Sequence, residues 1–334
     1  MSALVFQSLL SWALLSAAAA LALQLAWPLA RPRLARLSPR RRLLALRAYA
    51  IAPMVAGPVL VALSYLAPTL AWLWPSIDHC HTHPHLHPNL CFLHPPTEGG
   101  GALTWGLLLV ALAWITARSL SFSWRVWRSM RALRPLLEAA RPLAGAEARL
   151  LEVSPPLAFT AGLWRPVSAV SEGLIAALSG DELAAVLAHE AAHARARDPL
   201  WQLWAQLSLE LAFPARPRRQ LLSDLSLCTE RCRDEEACAA PGQRLEMASA
   251  LVKMARLGVR PVGAPAPLGV AFFGAPALVT RAEALLEVSA PQASGGAGLR
   301  RRHLKQGLIA ASAALASPLH HLVEAALGLL AGAR

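Results

Sequence analysis

The first thirty residues carry no charged side chain. A helix needs about 20 predominantly apolar residues to cross a bilayer, and Ala3 to Ala30 provides them. Backbone polar groups in hydrocarbon must be satisfied within the segment, so such a run is helical. A cleavable secretory signal would open on positive residues, and none stands here. The pattern recurs. Residues 48–77 are uncharged, Gly99 to Ala117 is a third apolar run, and Gln306 to Ala333 is a fourth. Composition agrees: 55% of residues are hydrophobic and 16% charged, where soluble domains carry roughly 25% charged residues. These features argue against an ordinary soluble enzyme and point to a membrane protein.

The basic residues set the orientation. Arg31 to Arg47 holds seven arginines and no acid, and further clusters lie at Arg118–Arg134 and Arg300–Lys305. Positive flanks stay on the cytoplasmic side. The loop over residues 75–101 has no Lys or Arg and belongs outside. The expected layout is a three-span membrane region over residues 1–134, a cytoplasmic domain over 135–304 and a fourth transmembrane helix over 305–334. The net charge of +12 then reflects topology and contact with anionic lipid. No basic face interleaved with stacking aromatics is apparent, so no direct nucleic-acid partner is expected.

The cytoplasmic stretch carries the chemistry. Leu150 to Ser154 and Val167 to Ser171 read as short strands, with Pro155, Pro156, Gly162 and Pro166 in the turns between. Ser179-Gly-Asp-Glu182 reads as a helix start. That helix runs through Leu183, Val186 and Leu187 into His189-Glu190-Ala191-Ala192-His193, and Pro199 sets its end by Asp198. Two histidines at i and i+4 share a helix face, so both imidazoles reach one metal ion. Glu190 is placed to act as general base on an attacking water. A catalytic zinc takes three protein ligands, so a third comes from elsewhere. The predicted helix Leu221–Ala240 offers Glu230, Asp234, Glu235 and Glu236, together with Cys228, Cys232 and Cys238. Glu230 and Asp234 are i and i+4 and share a face.

Three stretches, SPPLAFTAGLWRPVSAVSEGLIAAL (154–178), DELAAVLAHEAAHARARDPLW (181–201) and ERCRDEEA (230–237), resemble the cytoplasmic zinc domain of the BlaR/MecR-type antirepressor family. These are integral-membrane, gluzincin-like metallopeptidases, distantly related to the CAAX-prenyl-protease-like membrane zincins. The resemblance covers about 90 residues by motif, and the order of spans matches by layout. It implies that His189, His193 and Glu230 hold Zn²⁺ and that Glu190 is the catalytic base. It also implies that Asp234 and Asp198 stand behind the ligand histidines. Two departures are visible. The sequence ends at Arg334, just after the fourth apolar run, so β-lactam sensing by a penicillin-binding domain is not expected, and Arg233 precedes Asp234 where the family often has Cys.

The expected fold is mainly α: four transmembrane helices and a small zincin-like domain with a short β-hairpin or sheet. The expected function is zinc-dependent endopeptidase action at the cytoplasmic side of a bacterial inner membrane, as a multi-pass protein. Its partners would be membrane lipid and a protein substrate, which the resemblance suggests is a cytoplasmic transcriptional repressor. Membrane-protein quality control is the second reading, and a non-proteolytic metal-sensing receptor the third. The third draws on the outside loop, where His79, His81, His83, His85 and His87 alternate with other residues as an imidazole-dense metal-binding tract. Cys80 and Cys91 would face an oxidising compartment and could close that loop.

Overall fold

The computed structural model describes residues 2–66, 69–70, 101–238, 241–257, 270–272, 278–287, 318, 321–323 and 325–327. The His-rich loop lies outside the described residues, as does nearly all of the expected fourth span.

Among the described residues, three helices are long and apolar enough to cross a membrane: α1 (Ser2–Ala35), α2 (Pro39–Ser64) and α3 (Ala102–Ala139). Only 11% of the most apolar window is buried in the first and third, and 22% in the second. Leu103, Val110 and Leu25 stand among the exposed residues. Apolar surface on this scale requires a non-aqueous partner, and a bilayer supplies one. Helix α3 extends well past the expected span end at Ala117. Its 38 residues reach about 57 Å at 1.5 Å per residue, far beyond a hydrocarbon core. Its second half, with Arg118, Arg125, Arg128, Arg131 and Arg134, continues the same helix beyond the apolar run.

The chain forms two compact units. One comprises Met1–Leu25, Ala52–Ala117 and Pro291–Arg334, and the other Ala26–Ile51 and Arg118–Ala290. In the first, Phe6, Leu10, Leu108, Val323 and Leu327 form an apolar cluster, and Ser8 Oγ lies 2.6 Å from Tyr65 Oη.

The second unit holds a five-stranded sheet in the order β1-β2-β4-β3-β5. Its strands are β1 (Arg141–Pro142), β2 (Ala148–Leu151), β3 (Ala158–Ala161), β4 (Val167–Ser171) and β5 (Val270–Phe272). The two stretches expected as strands, β2 and β4, pair in parallel, while β3, in the stretch expected as turns, forms an antiparallel hairpin with β4. Gly162 in the connecting turn has φ +110°, and a Cβ there would meet Arg165 O at 2.8 Å, so glycine is required. β5 pairs antiparallel with β3 over Phe159, Thr160 and Ala161, occupying the outer edge.

Six helices complete the unit: α4 (Glu172–Ala177), α5 (Gly180–Ala196), α6 (Asp198–Ala212), α7 (Ala215–Ala237), α8 (Pro241–Arg256) and α9 (Leu278–Leu286). The start of α5 is a capping box between Ser179 and Glu182, which satisfies two amides that otherwise lack partners. Glu182 also accepts bonds from Ser249 Oγ and Lys253 Nζ of α8, each at 2.6 Å. Burial pushes its carboxyl up, but these bonds and the Lys253 charge outweigh burial and hold it at about 2. Helix α5 ends where Arg197 turns left-handed (φ 51°), and Pro199 opens α6. Val186 and Leu174 pack with Met247, Leu251 and Met254 in the core, which fixes the face that α5 turns toward α7.

The basic segments do more than orient the chain. Arg31 pairs with Asp224 at 2.7 Å, Arg125 with Glu210 at 2.5 Å, and Arg47 with Asp198. Part of the positive charge expected to face lipid is spent on acids of the same unit.

Candidate metal centre

Helix α5 brings His189 and His193 onto one buried face, and α7 lies against it with Glu230 and Asp234. The break at Phe213–Pro214 reverses the chain between α6 and α7, as the distance of 37 residues from His193 to Glu230 requires. Ligand atoms of His189, His193 and Glu230 lie within 4.8 Å of one another. The two Nε2 atoms are 3.0 Å apart. Each is 3.5 Å from a Glu230 carboxylate oxygen. Nitrogens bound at 2.0–2.1 Å to one tetrahedral ion would be separated by about 3.3 Å, so the triangle fits a zinc-sized cation.

The groups behind the histidines explain that orientation. His189 Nδ1 is 2.9 Å from Asp234 Oδ1, and His193 Nδ1 is 2.8 Å from Asp198 Oδ2. Proton positions follow from these partners: His193 Nδ1–H is donated to Asp198 and His189 Nδ1 lies in ion-pair reach of Asp234, so the two Nε2 atoms face each other. A proton or a metal ion must occupy the shared point. Burial pulls the His189 imidazole down, but bonds to Asp234 and Glu230 prevail and raise it to about 9. Burial also works against the charged forms of Asp198, Asp234 and Glu230. It is outweighed by His193 and Arg233 at Asp198, by Arg281 and His189 at Asp234, and by Arg281 and the two histidines at Glu230, so all three stay below the usual carboxylate range.

Glu190 lies next to the histidines and Glu230, whose charges act on it, and also reaches the sheet. Thr160 of β3 donates to its Oε2 at 2.6 Å, and Ser168 of β4 lies 3.1 Å from the same hydroxyl. Glu190 is fully buried, and its Oε1 has no hydrogen-bond partner among the described residues. Burial drives its carboxyl above the ordinary range, against the pull of the His193 and His189 charges and the Thr160 bond. A raised carboxyl with one uncommitted oxygen suits a group that accepts and returns a proton. The orphaned oxygen and the donor set of two imidazoles and a carboxylate both fit a catalytic metal with a reactive water beside Glu190.

Of the other candidates, Cys228 and Cys232 are buried free thiols, and neither joins the metal-binding group. Cys228 Sγ contacts Pro39 O at 3.4 Å. Glu236 binds Arg233 instead of the centre. His79, His81, His83, His85 and His87 lie outside the described residues.

Three arginines complete the centre, and the sequence alone assigns none of them to it. Arg281 of α9, fully buried, holds Asp234 through Nε at 2.8 Å and Nη2 at 2.6 Å. It reaches Glu230 Oε2 through Nη1 at 2.8 Å. Arg233 holds Asp198 at 2.6 and 3.2 Å, and Arg47 reaches the same carboxylate. Each carboxylate behind a histidine is thus clamped by arginine. One signal for Arg281 existed: it shares the apolar stripe of its helix with Leu278 and Leu285, where an unpaired charge would be prohibitive.

Comparison with known proteins agrees with this chemistry. Residues 127–232 match the family model of Peptidase family M48. The match runs from the end of α3 through the sheet, the His-Glu-x-x-His helix and Glu230, and supports a zinc metallopeptidase. No curated protein and no solved structure gives a significant match.

Proposed function

We propose that the protein is an integral-membrane, zinc-dependent endopeptidase that cleaves a protein substrate at the cytoplasmic face of a bacterial inner membrane. One observation carries this reading: two Nε2 atoms 3.0 Å apart and a carboxylate at 3.5 Å, beside a buried glutamate with an uncommitted oxygen. The family match and the apolar helices support it.

His189, His193 and Glu230 would hold the ion, with Asp234 and Asp198 keeping both imidazoles in the binding tautomer. Zinc bound there supplies a Lewis acid that makes water nucleophilic at neutral pH and polarises the scissile carbonyl. Glu190 receives the proton of the attacking water on its carboxylate and passes it to the leaving amine nitrogen. Thr160 orients that carboxylate through Oε2 and leaves Oε1 for the exchange. Arg281 offsets the negative charge gathered at Glu230 and Asp234.

The motif resemblance favours regulatory cleavage of one cytoplasmic protein such as a transcriptional repressor, over general quality control of membrane proteins. Proteomics of cleaved peptides from cells expressing wild type or Glu190→Gln separates the two. A regulatory enzyme yields one or a few cytoplasmic cleavage products that vanish in the variant. Many membrane-protein fragments would establish quality control instead. An unchanged peptide set would overturn the peptidase reading.

A further inference from the structure

A cavity of about 560 Å³ opens beside the metal centre, walled by the start of α2, the end of α5 and the end of α7. Four arginines line it, Arg40, Arg47, Arg195 and Arg233, against two glutamates, Glu235 and Glu236. Glu236 is already tied to Arg233. Arg47 and Arg233 form the inner wall, and both grip Asp198, which stands 2.8 Å from His193 Nδ1. Arg40 and Arg195 are exposed and make no hydrogen bond or ion pair with the described residues. Leu43 and Leu44 supply an apolar wall on α2, the helix that carries on as a candidate span.

We propose that this cavity binds a phosphoryl anion, carried by a phospholipid headgroup or free in solution. Guanidinium groups converging from three helices match the several oxygens of a phosphoryl group better than a single carboxylate. The volume exceeds what a bare phosphate fills and suits a small-molecule group, and the apolar wall fits glycerol carbons. The basic end of a span is also where headgroups of anionic lipids lie. An occupant here would touch the arginines that fix Asp198, and so would act on His193 through that carboxylate. The site is independent of the peptidase reading, because its arginines bind whether or not the centre hydrolyses peptides.

The test uses the full-length protein in detergent, with retained phospholipid counted by native mass spectrometry during titration with phosphatidylglycerol or phosphatidylcholine. Parallel arms add inorganic phosphate or glycerol 1-phosphate as competitors. Wild type should bind phosphatidylglycerol saturably at one site and phosphatidylcholine far more weakly. Arg40→Gln/Arg195→Gln should weaken that site about 30-fold, taking roughly fivefold for each arginine near a phosphate. Arg33→Gln/Arg36→Gln, at exposed arginines outside the cavity, should change it less than threefold. Displacement of the lipid by millimolar inorganic phosphate identifies free phosphate as a sufficient ligand, whereas displacement by glycerol 1-phosphate alone identifies the headgroup. Equal losses in the two double variants, or none in the first, overturn the proposal, since general surface charge would then account for the binding.

Discussion

Replacing Asp234 by Asn removes one charge and almost no volume from the centre, so its effect is electrostatic. Asp234 is 2% exposed, accepts two bonds from Arg281 at 2.6 and 2.8 Å and stands 2.9 Å from His189 Nδ1. Breaking a buried ion pair by neutralising one partner costs about 3–5 kcal/mol, because the other charge stays buried. For a domain of this size that lowers the melting temperature by roughly 6–20 °C. The same change frees His189 to rotate and to choose the wrong tautomer, which should weaken zinc about 10- to 100-fold. Asp224→Asn is the control. Its partner Arg31 has a side chain 47% exposed, and a pair of that kind contributes at most about 1 kcal/mol. Thermal unfolding of metal-stripped protein in detergent, followed by zinc titration against a competing chelator, reads both effects. If Asp234→Asn melts within about 2 °C of wild type and binds zinc equally well, the clamp of Arg281 on Asp234 contributes nothing and the reasoning fails.

Three further outcomes are expected. Thr160→Val should keep zinc and lose activity about 10-fold or more, while Thr160→Ser should retain most of it; equal rates in both would remove the hydroxyl from the mechanism. The proton on His189 competes with zinc, so apparent affinity should rise as pH climbs from 6.5 and level off above about 9. By the same linkage the metal-free fold gains stability from that proton below pH 6.5 and loses it as pH rises through about 9; zinc binding that is flat over this range would contradict both. A reporter fused after Gly101 should appear outside and one after Gln243 inside, and the reverse pattern would place the peptidase on the other side of the membrane.

The parts of this protein legible in its sequence are those governed by local rules. Uncharged runs marked the three apolar helices, although α3 runs on to Ala139 because its arginine-rich half is still a good helix former. Ser179 with Glu182 marked the start of α5, and Pro199 its end. Spacing put His189 and His193 on one face, and Glu230 with Asp234 on another. What was not legible depends on tertiary contact. Arg281 lies 47 residues beyond Asp234, and nothing local points it at the centre. Arg47 reads as a topology signal and also grips Asp198. Arg233 looked like a neutral departure from the resembling family, yet it binds that same carboxylate. The pairing of β5 with β3 joins segments more than 100 residues apart, and no periodicity announces it.

The most direct measurement is the zinc content of purified full-length Glu230→Ala and Glu190→Gln, taken with proteolysis on the same preparations. Glu190→Gln should hold about one zinc per chain and be inactive, because the proton-carrying group is separate from the three ligands. Glu230→Ala should lose both zinc and activity. Stoichiometric zinc in Glu230→Ala, or full proteolysis by Glu190→Gln, would contradict the assignment of this buried centre as a zinc peptidase site.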